Sequence, residues 1–185
     1  MNTNEMIQLK RDCEATQIPL GAKMVISKGT AVRITQALGG TYTVVTDHGY
    51  MVRISEKDAD ALGKEVSKVG QNTAQTVPVD EGSVKEAVWN QMKTCYDPEI
   101  PVNIVDLGLV YACDIKPLSE EGYQVDVKMT LTAPGCGMGE SLKGDVALKI
   151  LTVPGVKTAN VELVWEPQWD QSKMSEAAKL KLNML

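Results

Sequence analysis

Hydrophobic and polar positions change period several times along this chain, most sharply between residues 123 and 151. Tyr123, Val125, Val127, Met129 and Leu131 alternate with Gln124, Asp126, Lys128, Thr130 and Thr132. That is the period of two expected of a half-buried strand. Met138, Leu142, Val146 and Ile150 then recur every four residues, and Ala147 and Leu151 widen the stripe, which predicts a core-facing helix. Between strand and helix lies Thr132-Ala133-Pro134-Gly135-Cys136-Gly137, a loop that places one cysteine just before a helix N-terminus.

Upstream the pattern is different. Residues 1–18 are polar without a sustained period and read as a tail or a packed-on segment. Met24 to Ser27, Thr30 to Ala37, Thr41 to Thr46 and Tyr50 to Ile54 are rich in Val, Ile, Thr and Tyr and are separated by glycine turns. They predict a four-stranded antiparallel meander curled into a small barrel. Ser55 to Leu62 fits one helical turn capped by Ser55 and Asp58, and residues 63–80 lose hydrophobic pattern and read as a linker. Ser83-Val84-Lys85-Glu86 has the spacing of a capping box. Val84, Val88, Met92 and Cys95 continue it as an amphipathic helix that Asp97-Pro98 stops. Leu107, Leu109, Tyr111, Cys113 and Ile115 predict a strand with Cys113 in the core, and Pro117 to Gly122 a hairpin. Ala159, Val161, Leu163 and Trp165 mark a third strand, reached by a parallel crossover, and a weak amphipathic helix covers Ser172 to Leu182. The expected fold class is α/β (α+β): an all-β module at 1–62 with its N-terminal tail, a linker at 63–80, and a compact α/β domain with a small mixed sheet and flanking helices at 81–185.

Composition narrows the function classes. The 185 residues carry a net charge of −5, which argues against nucleic-acid binding as the main activity. No apolar run approaches a membrane span, and Met1 to Arg11 lacks a secretory pattern, so the expectation is a cytoplasmic protein. The four cysteines, Cys13, Cys95, Cys113 and Cys136, are scattered, with no pair at zinc spacing. A metal would then be shared between chains, as in a homodimer, or held weakly.

Cys136 is the candidate for chemistry. A helix N-terminus favours the thiolate, and Gly135, Gly137 and Gly139 leave the sulfur sterically open. The bland reading is a small buried hydrophobe. A cysteine-nucleophile enzyme would want a base beside the thiol, and the single histidine, His48, lies in a distant turn. Asp97 or Glu99 would have to serve instead.

Two stretches carry a family likeness. Asp97-Pro98-Glu99-Ile100-Pro101-Val102-Asn103-Ile104-Val105-Asp106-Leu107-Gly108-Leu109-Val110-Tyr111 and Met129-Thr130-Leu131-Thr132-Ala133-Pro134-Gly135-Cys136 resemble the iron–sulfur assembly domain family that includes SufT, PaaD of phenylacetate degradation and the eukaryotic cytosolic iron–sulfur targeting proteins. Gly29 to Val44, Trp165 to Trp169 and Met174 to Leu180 resemble the SufT branch in particular. The resemblance implies a non-enzymatic accessory factor for iron–sulfur protein maturation, working beside the SUF machinery and its client proteins. It implies metal or cluster contact at Cys136, Asp97 and Glu99, with Thr132, Gly135 and Gly137 in support. It implies transient iron or a transient cluster rather than a tightly bound cofactor, since stable clusters ordinarily take four thiolates. Many relatives carry a second hydroxyl residue where Ala133 stands and proline where Gly137 stands. An adaptor without a metal role is the competing expectation.

Overall fold

Strands form where β-branched and apolar residues alternate with polar ones, and glycine turns set their ends. The computed structural model describes residues 6–65, 80–97, 99–119, 121–133 and 137–184. Most of the expected linker, Pro98, Gly135 and Cys136 lie outside the described residues. The chain divides into two compact units, one built on the strands of residues 6–54 and the other on residues 80–133 and 142–184. No helix among the described residues is long and apolar enough to cross a membrane.

The first unit is a six-stranded antiparallel sheet of β1 (Met6–Gln8), β2 (Cys13–Gln17), β3 (Lys23–Ile26), β4 (Ala31–Leu38), β5 (Thr41–Thr46) and β6 (Met51–Ile54), in the order β1-β4-β5-β6-β2-β3. The expected meander is corrected in two ways. Within residues 6–17 the packed-on reading holds and the tail does not, since they carry β1 and β2, too short and too polar to show a period. β3 pairs with β2, Cys13 opposite Ile26, and not with β4, so only β4, β5 and β6 run as a meander. β1 and β3 end that order, and the Leu9 N–H to the Thr30 carbonyl at 3.0 Å and the Gly29 N–H to the Leu9 carbonyl at 2.8 Å carry the β1–β4 pairing on toward β2 and β3. Val32, Val44, Val52 and Ile54 are fully buried on one face and pack with Leu9, Cys13 and Ile26. The turn after β6 is a 3-10 helix, Glu56–Leu62, without the expected side-chain cap. Ser55 Oγ donates to the Asp58 side chain instead, at 3.4 Å. Arg11 bonds Asp58 and Asp60, tying the β1–β2 connection to this helix.

The second unit layers helices on a three-stranded sheet. Helix α1 (Glu81–Met92) is capped by Asp80, not Ser83, and ends before the Asp97-Pro98 stop. Asp80 Oδ1 accepts from the Ser83 N–H at 2.8 Å, and that bond holds the Asp80 carboxyl below its usual range. Strands β7 (Val110–Pro117), β8 (Tyr123–Met129) and β9 (Val156–Leu163) follow the order β7-β8-β9. β7 is antiparallel to β8, and β9 is parallel to it through α2 (Gly139–Leu151). Val84, Val88 and Met92 of α1, Val125, Val127 and Met129 of β8, and Leu142, Val146 and Ile150 of α2 are buried. Each such side chain contributes about 1.5–3 kcal/mol relative to exposure. Leu151 is 43% exposed and does not belong to the stripe, and Trp165 lies beyond the third strand, also exposed.

A register shift between Val110 and Ala112 takes Tyr111 off the expected face of β7, which Cys113 and Ile115 keep. Val110 opposes Met129 and Cys113 opposes Val127, so the core face runs through Val110, Cys113 and Ile115. The extra residue of the irregularity turns Tyr111 away from Cys113. Cys113 is half-buried rather than a core residue. The chain closes with a 3-10 turn, Gln171–Lys173, and a short helix α3 (Glu176–Lys181), where a single longer helix is expected from sequence.

Candidate functional site

The acidic stretch is a hairpin-like loop between α1 and β7. Asp97 follows Cys95, a buried residue whose carbonyl accepts from the Ile104 N–H at 2.9 Å. Tyr96 pairs with Asn103 as an antiparallel bridge, and the Asp97 N–H reaches the Val102 carbonyl at 3.3 Å. The described residues of the loop tip, Asp97 and 99–101, are thus set by the loop's own backbone.

Asp97 itself is buried, at 7% exposure. Its Oδ1 accepts from the N–H groups of Glu99 and Ile100, both at 2.9 Å. This is the Asx-turn geometry that aspartate adopts at turns, and it fixes the carboxylate in one orientation. Asp97 is thus withdrawn from solvent, whereas Glu99 is exposed on the same tip.

Thr132 is half-buried, just past the end of β8, and Gly137 is exposed two residues before α2. Cys136 and Gly135 stand between them in sequence, outside the described residues. The stem that leads to Cys136 and the end of the acidic loop are joined directly, because the Thr130 N–H donates to the Leu109 carbonyl at 2.8 Å. Thr130 is 1% exposed, so that bond is shielded from water.

The other cysteines are placed away from chemistry. Cys13 and Cys95 are 2% and 3% exposed. Burial pushes the Cys113 thiol up to about 11, so at neutral pH it is not a thiolate. Among the described residues no group of three or more His, Cys, Asp and Glu side chains is gathered as metal ligands would be.

Sequence reasoning passed over the polar network behind the loop. Asn103 Oδ1 accepts from the N–H groups of Val105 and Asp106, at 3.1 and 2.9 Å, and its Nδ2 donates to Asp106 Oδ2 at 2.6 Å. Ser175 Oγ donates to Asp106 Oδ1 at 3.1 Å, and Trp169 Nε1 donates to the Leu107 carbonyl at 2.8 Å. Tyr111 Oη donates to the Pro167 carbonyl at 2.7 Å, and the Lys173 ammonium sits 5.1 Å from the Tyr111 ring centre. The three-residue spacing of Asn103 and Asp106 hints at the local turn, but nothing in the sequence pairs it with residues some seventy positions away.

Comparison with known proteins bears on the same residues. The family model described as "Iron-sulfur cluster assembly protein" matches residues 85–163. A Porphyromonas gingivalis protein named as an Fe-S protein maturation auxiliary factor is 44% identical over 101 residues, covering 55% of this chain and 92% of that protein. The Bacillus subtilis Fe-S protein maturation auxiliary factor YitW is 36% identical over 104 residues, 56% of this chain and 98% of that one. The Staphylococcus aureus Fe-S protein maturation auxiliary factor SufT is 38% identical over 88 residues, 48% of this chain and 96% of that one. These names describe auxiliary factors, not enzymes. With relatives this similar along nearly their whole length, and a family match running from α1 through the acidic loop and the cysteine loop to β9, the chain belongs to the iron–sulfur cluster assembly protein family.

Proposed function

We propose that this chain is a non-enzymatic accessory factor that helps mature iron–sulfur proteins in the cytoplasm, with iron or a cluster as passing cargo. Cys136 supplies a soft thiolate to that cargo, and Asp97 and Glu99 supply hard oxygen donors. Thr132 supports the loop, and Gly135 and Gly137 keep the sulfur open. A mixed set of this kind suits iron with positions left over for a donor or recipient. The carrying observation is the Thr130–Leu109 bond, which fastens the stem of the cysteine loop to the end of the acidic loop.

The rest of the chemistry favours transfer over storage. Cys13 and Cys95 are sealed and Cys113 is held as a thiol, so none of them is a ready second ligand. Clusters ordinarily take four cysteine ligands, and one thiolate per chain releases its cargo readily or shares it with a second chain. Partners are then the cluster-building SUF machinery and client apoproteins, and the β module at 1–62 docks one of them, joined by the 63–80 linker to the domain at 81–185.

The test is anaerobic reconstitution with ferrous iron and sulfide, comparing wild type with Cys136→Ser by absorbance and metal content. The expected result is uptake by wild type and at least about tenfold less by the variant, the loss of one strong ligand. Equal uptake in both removes the thiol from the ligand set. No uptake in either leaves an adaptor that brings machinery and clients together without touching metal.

A further inference from the structure

One hydrogen-bond network has no task in the proposed function. It joins the C-terminal segment to the loop that carries Asp97 and Glu99, and the Asp106 carboxylate is its junction. On one side Asp106 Oδ2 accepts from Asn103 Nδ2 at 2.6 Å, and Asn103 is the residue that pairs with Tyr96 at the base of the acidic hairpin. On the other side Asp106 Oδ1 accepts from Ser175 Oγ at 3.1 Å, and the Asp106 carbonyl accepts from the Ser175 N–H at 2.8 Å. Trp169 Nε1 holds the next carbonyl, that of Leu107. Residues 169 and 175 both lie beyond the family match, which ends at 163.

Simple adhesion does not require this arrangement. Met174 and Ala178 are already buried, at 6% and 2% exposure, and they hold the segment by apolar contact. The polar bonds are directional, and they converge on Asp106 and Leu107, two adjacent residues. Hydrogen bonds to an ionised carboxylate are also shorter and stronger than neutral ones. A ligand set works only when its donors are held to within a fraction of an ångström by supporting bonds behind them. Asp97 is oriented by its own turn, but the turn moves as a body unless its base is fixed, and Asn103 is that base.

We propose that Asp106 and Ser175 are positioning residues, through which the C-terminal segment holds the Asp97–Glu99 turn in place for cargo contact. This rests on the proposed role of that turn. The test uses the full chain and the variants Ser175→Ala, Ser175→Thr and Asp106→Asn. Ser175 also caps α3 through the Ala178 N–H, a bond Asp106→Asn leaves alone, so an effect common to both variants belongs to the 106–175 bond. Two readouts are taken, residue-resolved amide hydrogen exchange and anaerobic uptake of ferrous iron with sulfide.

The expected result is roughly tenfold faster exchange at the amides of Glu99, Ile100 and Ile104 in Ser175→Ala and Asp106→Asn. Exchange at Val127 stays unchanged, iron uptake falls at least threefold (about 0.6 kcal/mol and upward,), and Ser175→Thr restores both. A merely structural role would speed exchange at Val127 as well. Unchanged exchange in the hairpin overturns the coupling, and faster exchange with undiminished uptake overturns its use by the site. A wild type that takes up no iron fails the proposed function instead, and hairpin exchange still decides whether the segment positions the turn.

Discussion

Position 108 makes two demands that only glycine meets together. Its φ is +72°, in the left-handed region, and a Cβ built there would overlap the Lys173 backbone carbonyl. Glycine pays no steric penalty at positive φ, and its missing side chain lets the C-terminal segment approach the Asp106–Leu107 turn. Gly108→Ala therefore strains the backbone and pushes the segment off its seat at once. The expected loss of stability is about 2–4 kcal/mol, read as a shift of the urea midpoint with little change in slope. A loss below about 0.5 kcal/mol would show that the segment is not seated where the structure has it. The residue scale is also where the sequence was least informative about the site. Asp97 and Glu99 could be nominated from the acidic motif, but alternation and spacing do not distinguish a carboxylate locked by two N–H donors from one facing water. Only the local turn does, and it separates the two acids.

Among the elements, the three-stranded sheet shows what its pattern could and could not reveal. β8 is legible because its alternation is unbroken, apolar residues toward the helices and Gln124, Asp126 and Lys128 toward solvent. β7 is half legible, because Cys113 and Ile115 keep the expected face while one irregular residue at its start takes Tyr111 off it, and no period runs through an inserted residue. β1 and β2 were invisible for a different reason, since three and five residues hold too few repeats to stand above noise. On the solvent face Asp126 gathers Lys116 at 2.6 Å, Asn160 at 2.8 Å and Gln124 at 2.9 Å, spanning all three strands. Lys116 first, then Asn160 and Gln124, hold the Asp126 carboxyl down to about 2. A carboxyl whose folded pKa lies below its unfolded value near 4 stabilises the fold above that value and stops doing so as pH falls toward 2. The side chain is 26% exposed, so solvent screening trims the contribution to no more than about 2 kcal/mol. Asp126→Asn should therefore lower stability at pH 7 by about 1–2 kcal/mol and flatten the acid limb between pH 4 and pH 2. Denaturant melts across that range decide it, and an unaltered acid limb would assign the acid sensitivity to other carboxyls.

Taken whole, the molecule joins a unit that the family match covers to one that it does not. Residues 85–163 carry the likeness, and the relatives are matched along 92–98% of their own length, so in them the family unit is most of the protein. The second unit here has its own buried faces on α1, β8 and α2, and a chain of roughly a hundred residues buries enough surface to fold alone. The six-stranded sheet likewise has its own core around Val32, Val44 and Val52. Under the proposed function, cargo contact belongs to residues 80–185 and recognition to the sheet of residues 6–54. A fragment of residues 80–185 should then unfold in a single cooperative transition and take up iron and sulfide like the full chain. In an assay that couples the factor to a client apoprotein and a cluster donor, the fragment should be slower by roughly tenfold at limiting concentration, because docking on the first unit no longer raises the local concentration of its partner. Adding excess fragment should recover the rate, as a lost docking contact is offset by mass action whereas a lost ligand is not. A fragment that matures the client at the full chain's rate would leave the sheet of residues 6–54 without a part in recognition.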